Sequence, residues 1–197
     1  IKFLFQSDIN IPEVTRKENQ ARTPFSFQRF IIPEICNYSG KAIYLDADML
    51  VFKNIIDIWK NDFDDANILL CEDEDYRKPQ LSVMMLDCSN LKWNIKDIVG
   101  KLNNNTLTYN QLMHDFSIAK YDMKINKSWN NIDKFDNKTS LLHYTDMTKQ
   151  PWLSTTNHLG YKWMEVLLDA IDNNYISVDF IQSEIEQGHV RPSLLFQ

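Results

Sequence analysis

Apolar positions along the chain fall into short runs separated by polar stretches, and the spacing within each run predicts its element. The opening I-K-F-L-F reads as a strand, followed over residues 6–22 by a polar loop with one short helix. Thr23-Pro24 marks a helix start with Pro in the first turn, and that helix, F-S-F-Q-R-F-I-I, ends or kinks at Pro33. Gly40 breaks the chain before the strand-like K-A-I-Y-L, and N-I-I-D-I-W supplies a short amphipathic helix further on. N-I-L-L-C and L-S-V-M-M-L read as two more strands. Leu91, Ile95, Ile98 and Leu102 recur at i, i+4, i+7 and i+11, which predicts a helix over 91–102 behind a Ser89 or Asn90 cap. Tyr109 to Phe116 reads as helix, Y-D-M-K-I as a strand, S-L-L-H-Y as an apolar run into His143, Leu159 to Ile171 as helix and Phe180 to Glu186 as a weaker one.

Strands alternating with helices define an α/β protein with a largely parallel core sheet. A chain of 197 residues, 44% hydrophobic and 24% charged, is long enough for one substantial core, and no internal repeat or linker divides it. A net charge of −6 and the lack of a basic cluster argue against a nucleic-acid surface and leave small molecules as the expected partners. No apolar run is long enough to span a membrane, and no signal segment opens the chain. Cys36, Cys71 and Cys88 are odd in number and lie beside apolar neighbours, as packed, reduced thiols in a cytoplasmic protein would.

One run carries an anomaly. In A-I-Y-L-D-A-D-M-L-V-F, Asp46 and Asp48 interrupt an otherwise apolar segment. Residues i and i+2 of a strand face the same way, so two carboxylates about 5 Å apart would repel by about 3 kcal/mol at an effective dielectric of about 20. The spacing alone is not informative, because Asp62-Phe63-Asp64 and Asp73-Glu74-Asp75 repeat it. Those two copies lie in polar stretches that read as solvated loops or helix starts. Only Asp46 and Asp48 follow a strand, at the carboxyl end where open α/β sheets bind ligands.

Two carboxylates need a cation, and His143, at the end of its own apolar run, supplies a third ligand. Two hard oxygens and one imidazole suit Mn²⁺, with Mg²⁺ as the competitor less tolerant of imidazole. Arg29 and Lys149 would add positive charge, and a metal, an Arg and a Lys together suit a diphosphate.

With these residues in place the chain resembles the retaining glycosyltransferases of family 8, the glycogenin and bacterial lipopolysaccharide galactosyltransferase group. The likeness rests on F-S-F-Q-R-F-I-I-P-E, on K-A-I-Y-L-D-A-D-M-L-V-F with N-I-I-D-I-W, on V-M-M-L-D and on L-L-H-Y-T-D-M-T-K-Q-P-W. It implies a GT-A-like fold, a mostly parallel but mixed sheet flanked by helices. Residues 1–197 would form a single domain, with a core over 1–152 and a helical segment over 153–197. It also implies transfer of a hexose from a UDP-sugar to the hydroxyl of a saccharide, lipid-linked or protein acceptor. Asp46, Asp48 and His143 would hold the metal; the Ala47 backbone would meet the ribose. Arg29 would contact the donor and Lys149 its diphosphate, while Gln80, Asn110 and Gln111 would lie near the sugar. Gln111 and Arg29 are the catalytic candidates.

The chain departs from the family pattern in several places. Asp146 stands where the family has a phosphate-facing Gly, and Gln150 is an extra residue before Pro151. Gln80 and Asn110 replace an Asn and an Asp. The family's first strand, which helps hold the uracil, lies before the part that matches Ile1 to Phe5, so the fold is expected to be N-terminally incomplete. Two rival readings follow: a truncated, non-catalytic glycosyltransferase-like domain, and a phosphatase of the haloacid dehalogenase type. The latter would want Thr or Val where the chain has Leu50.

Overall fold

The computed structural model describes residues 1–4, 7–23, 25–72 and 80–196. Phe5 of the expected first strand, Pro24 of the expected helix start and the Asp73-Glu74-Asp75 decoy lie outside the described residues. The chain forms two compact units, one of Ile1–Asp46 and Asn54–Trp129, the other of Ala47–Lys53 and Asn130–Gln197.

The first unit is built on a four-stranded sheet of order β1-β4-β3-β5, with β1 at Lys41–Leu45, β3 at Ile68–Cys71, β4 at Val83–Asp87 and β5 at Tyr121–Ile125. Strand β4 pairs antiparallel with both β1 and β3, and only β3 and β5 run parallel. The sheet is therefore mixed, with more antiparallel pairing than the alternation of elements predicted. Its central strands are fully buried: Ile68, Leu69, Leu70 and Val83 to Leu86 are all at 0% exposure, as continuous apolar runs require when both faces are covered. Strand β1 differs. It lies at the sheet edge, antiparallel to β4, and is only half-buried apart from Tyr44, although its apolar residues would suit a buried strand of a parallel sheet.

Helices complete this unit: α1 at Ile32–Ile35, α2 at Ile56–Trp59, α3 at Ile95–Asn103 and α4 at Tyr109–Met113. Ile95, Ile98, Val99 and Leu102 of α3 join the main apolar cluster with Phe30, Met84, Leu86, Trp93 and Phe116. Phe116 and Phe30 both meet the Trp93 ring edge-on. Helix α3 starts later than its apolar spacing predicted. Asn94 rather than Ser89 or Asn90 is its cap, accepting from the Lys96 and Asp97 amides, and Leu91 is buried from the preceding loop. Pro33 neither ends nor kinks a helix. Residues 28–31 form a 3-10 turn and Pro33 lies in the first turn of α1, where its missing N–H costs nothing. Ile1–Phe3 carry no regular structure, so no strand is present there.

The second unit holds a three-stranded sheet of order β2-β7-β6, with β2 at Met49–Val51, β6 at Asn131–Ile132 and β7 at Leu141–His143. Antiparallel pairing sets Met49 opposite His143, and β6 runs parallel to β7. Leu142, Tyr144 and Leu159 form a small core with Leu50, Phe52, Phe135, Trp152 and Trp163. Helices α5 at Gly160–Asp172 and α6 at Val178–Glu186 follow, packing through Leu167 and Ile181. No helix among the described residues is long and apolar enough to cross a membrane. The buried cysteines are packed thiols: burial pushes both Cys71 and Cys88 up to about 12.

Candidate metal and donor site

Strand β1 ends at Leu45, and the chain bends through Asp46, Ala47 and Asp48 before β2 begins. The D-A-D segment thus occupies the carboxyl end of its strand, as its context predicted. The Asp46 amide still donates to the Ser82 carbonyl at 3.0 Å, the last rung beside β4. The Asp48 carbonyl accepts from the Tyr144 amide at 2.9 Å, the first rung beside β7. Asp46 thereby belongs to the ladder of the first unit and Asp48 to that of the second. Their proximity follows from the single residue between them.

In the first unit Asp46 is met by charge. Arg29 Nη2 lies 3.3 Å from Asp46 Oδ1, and the phenol of Tyr44 donates to the same oxygen. Arg29 is 9% exposed. Its Nη1 donates to the Leu81 carbonyl at 2.6 Å and its guanidinium lies 4.9 Å from the Tyr44 ring centroid, a cation–π arrangement. Tyr44 was not singled out by the sequence reading. Its position two residues before Asp46, on the same side of a strand, was the available signal.

In the second unit Asp48 meets an imidazole and an amide. His143 is 6% exposed. Its Nδ1 lies 3.0 Å from Asn130 Oδ1, an acceptor that calls for a proton on Nδ1, so that the neutral ring presents a lone pair on Nε2. That Nε2 is 3.2 Å from Asp48 Oδ1, close enough for an ion pair, yet Oδ1 is sealed from solvent and has no hydrogen-bond partner. The absence of a hydrogen bond weighs more than the distance, because a lone pair facing a carboxylate oxygen is repulsive unless a cation takes both. Asp48 Oδ2 instead receives the Gln150 amide at 3.4 Å. Sequence offered no signal for Asn130 and marked Gln150 only as an extra residue.

One ligand atom from each of Asp46, Asp48 and His143 lies within 4.8 Å of the others. The donor set, two carboxylates and an imidazole, fits a divalent ion, and the orphaned buried oxygen of Asp48 is what such an ion would satisfy.

None of the described hydrogen bonds or ion pairs joins the remaining candidates to this group. Ala47 is exposed between the aspartates, and Gln80 is exposed ahead of β4. Asn110 and Gln111 are exposed in the first turn of α4. Gln111 closes a capping box: its Oε1 accepts from the Thr108 amide at 2.9 Å, and its own amide donates to Thr108 Oγ1 at 3.2 Å. Lys149 is exposed and pairs with Asp146 at 3.2 Å. Asp146, the residue at the family's Gly position, accepts from the Thr148 hydroxyl at 2.6 Å and amide at 3.0 Å, contacts that with Lys149 hold its carboxyl below the usual range. The Pro151-Trp152 pair is structural: Trp152 packs against Tyr144 and Trp163. The decoy Asp62 and Asp64 are exposed in a loop, as a solvated segment should be.

The fold is that of a glycosyltransferase. The chain is similar to the glycosyltransferase GlyE of Streptococcus pneumoniae TIGR4, with a TM-score of 0.52 and 19% identity over 71% of this chain and 42% of that one. The apo form of GlyE gives 0.53 at 18% identity over 84% and 46%. The galactosyltransferase LgtC, solved with donor and acceptor sugar analogues, gives 0.50 at 16% identity over 71% and 64%. The chain thus spans less than two thirds of the length of these structures. No curated protein sequence matches it. Residues 3–105, just over half of the chain, match the profile of glycosyl transferase family 8, and the chain belongs to that family. The phosphatase reading falls with that assignment.

Proposed function

We propose that this chain is a metal-dependent retaining glycosyltransferase that moves a hexose from a UDP-sugar to an acceptor hydroxyl. The observation that carries the reading is Asp48 Oδ1, sealed and without a hydrogen-bond partner, facing His143 Nε2 at 3.2 Å. Asp46, Asp48 and His143 would hold Mn²⁺, or Mg²⁺ at weaker affinity given the imidazole. A bound ion would supply positive charge to the diphosphate leaving group. Arg29 orients Asp46 and carries a buried positive charge beside it. Lys149 leaves its exposed pair with Asp146 to meet the diphosphate, an exchange that costs little because exposed pairs are weak. Gln80, Asn110 and Gln111 contact the sugar, and the Ala47 backbone meets the ribose. The acceptor is a saccharide, a lipid-linked sugar or a protein, in the cytoplasm.

Calorimetry of UDP with and without Mn²⁺ tests the site, and proton NMR of the product's anomeric configuration tests retention. UDP binding that is indifferent to Mn²⁺, or unchanged in Asp48→Asn, overturns the assignment. A second reading, a domain that binds without turnover, draws on Gln111, whose side-chain oxygen is committed to the start of α4. Mn²⁺-dependent UDP binding with neither transfer nor hydrolysis would select it.

A further inference from the structure

Gln150 is the extra residue between Lys149 and the Pro151-Trp152 pair, and it is 9% exposed. Its backbone is held from both sides. The Gln150 carbonyl accepts from the Leu153 and Ser154 amides, each at 2.9 Å, and the neighbouring Lys149 carbonyl accepts from Asn157 Nδ2 at 2.8 Å. Trp152, packed against Tyr144 and Trp163, pins the following turn. The side chain is therefore aimed. Its Nε2 faces two acceptors, Asp48 Oδ2 at 3.4 Å and the Tyr144 carbonyl at 3.5 Å. Two acceptors settle which end of the amide is the nitrogen, since the flipped side chain would set oxygen against oxygen.

The two oxygens of Asp48 are thus made unequal. Oδ2 is met by a neutral donor, while Oδ1 is sealed, has no hydrogen-bond partner and faces His143 Nε2. A carboxylate oxygen that shares its lone pairs with an amide is the poorer metal ligand of the two, so the carboxylate presents chiefly the other oxygen. Large cations such as Ca²⁺ commonly take both oxygens of a carboxylate, whereas small octahedral cations do well with one. Because the amide is uncharged, it directs the carboxylate without neutralising the attraction for the ion.

We propose that Gln150 is a positioning residue that holds Asp48 as a one-oxygen ligand and so biases the site toward Mn²⁺ and Mg²⁺ over Ca²⁺. The proposal rests on the reading of Asp46, Asp48 and His143 as metal ligands, and it concerns groups that all lie in the second unit apart from Asp46.

The test uses the metals alone. Mn²⁺ and Ca²⁺ affinities of the wild-type chain are measured by calorimetry, with the infrared splitting of the carboxylate stretches reporting one-oxygen or two-oxygen ligation. Gln150→Met keeps the length and removes the donor. Its Mn²⁺ affinity should fall about tenfold, the lower end of what loss of a ligand's outer partner costs, while Ca²⁺ affinity does not fall and the splitting shifts toward two-oxygen ligation. Gln150→Ala, which retains the backbone contacts to Leu153 and Ser154, should behave alike, and circular dichroism checks that each variant folds. A folded variant with unchanged Mn²⁺ affinity, unchanged selectivity and unchanged splitting overturns the proposal while leaving the metal site standing. A wild-type chain that binds no Mn²⁺ overturns both.

Discussion

Asp46 and Asp48 are separated by one residue, yet the first is held by a buried cation and a phenol, and the second lies against an imidazole and an amide. The first aspartate's charge is compensated inside its own unit. The second keeps an oxygen that nothing in the described structure satisfies. The contrast assigns different physical work to two residues of one motif: Asp46 ties the strand end to Arg29, and Asp48 creates the demand for a metal.

The largest expected effect is on the uncompensated side. Asp48→Asn should lower Mn²⁺ affinity by more than the roughly 10–100-fold that outer-shell changes cost, because it removes the charge of a ligand and leaves only a neutral amide oxygen in its place. Calorimetry at constant pH checks this, and an undiminished affinity would break the comparison. On the compensated side, Arg29→Met should cost about 2 kcal/mol in urea unfolding, since it strips a partly buried carboxylate and the Leu81 carbonyl of their donor. Mn²⁺ affinity should fall far less than in Asp48→Asn, because removing a cation beside the site offsets the loss of the group that orients Asp46. An equal fall in the two variants would break the comparison. Arg29→Lys should not restore stability, because a point charge cannot serve the Leu81 carbonyl and Asp46 with the planar fork of a guanidinium.

A smaller effect is expected from Asn130→Ala. Losing the acceptor on Nδ1 frees the imidazole to take its other tautomer and should weaken Mn²⁺ by about tenfold. The tautomer itself can be read from the ring nitrogen chemical shifts. The smallest effect concerns Asp146, whose folded carboxyl is held below its ordinary value by the Thr148 hydroxyl first, then Lys149 and the Thr148 amide. A depressed carboxyl stabilises its turn above the unfolded value and loses that contribution as pH falls through the folded one. The Thr148 amide resonance should therefore stay constant from neutral pH down to about 4 and move only in stronger acid. Movement above pH 5 would contradict the contacts.

Much of this was legible in the chain because the informative residues announce themselves by type. Asp46 and Asp48 stood out against an apolar run, and His143 ended another. Strands β1, β3, β4 and β5 followed from their apolar runs, and helices α3 and α5 from periodicity. What stayed hidden depends on partners distant in sequence. Strand direction is set by pairing, so nothing in V-M-M-L-D declares that β4 runs antiparallel to both neighbours. Asn130 and Gln150 are neutral polar side chains of ordinary frequency, and their contacts to His143 and Asp48 exist only after β7 pairs with β2. The start of α3 was missed because Leu91 continues the helical spacing from a loop, while Asn94, the residue whose side chain closes the first turn, carries no apolar signal.

The capping box at α4 carries a consequence for time rather than structure. Gln111 shields the Thr108 N–H by accepting it, so that proton should exchange slowly with solvent for as long as the box is closed. If the same side chain turns toward a donor sugar, the box opens and the Thr108 proton is released to water. Amide exchange at Thr108 becomes a clock that runs faster when the donor is bound, in a segment where occupancy of a ligand site would ordinarily slow exchange.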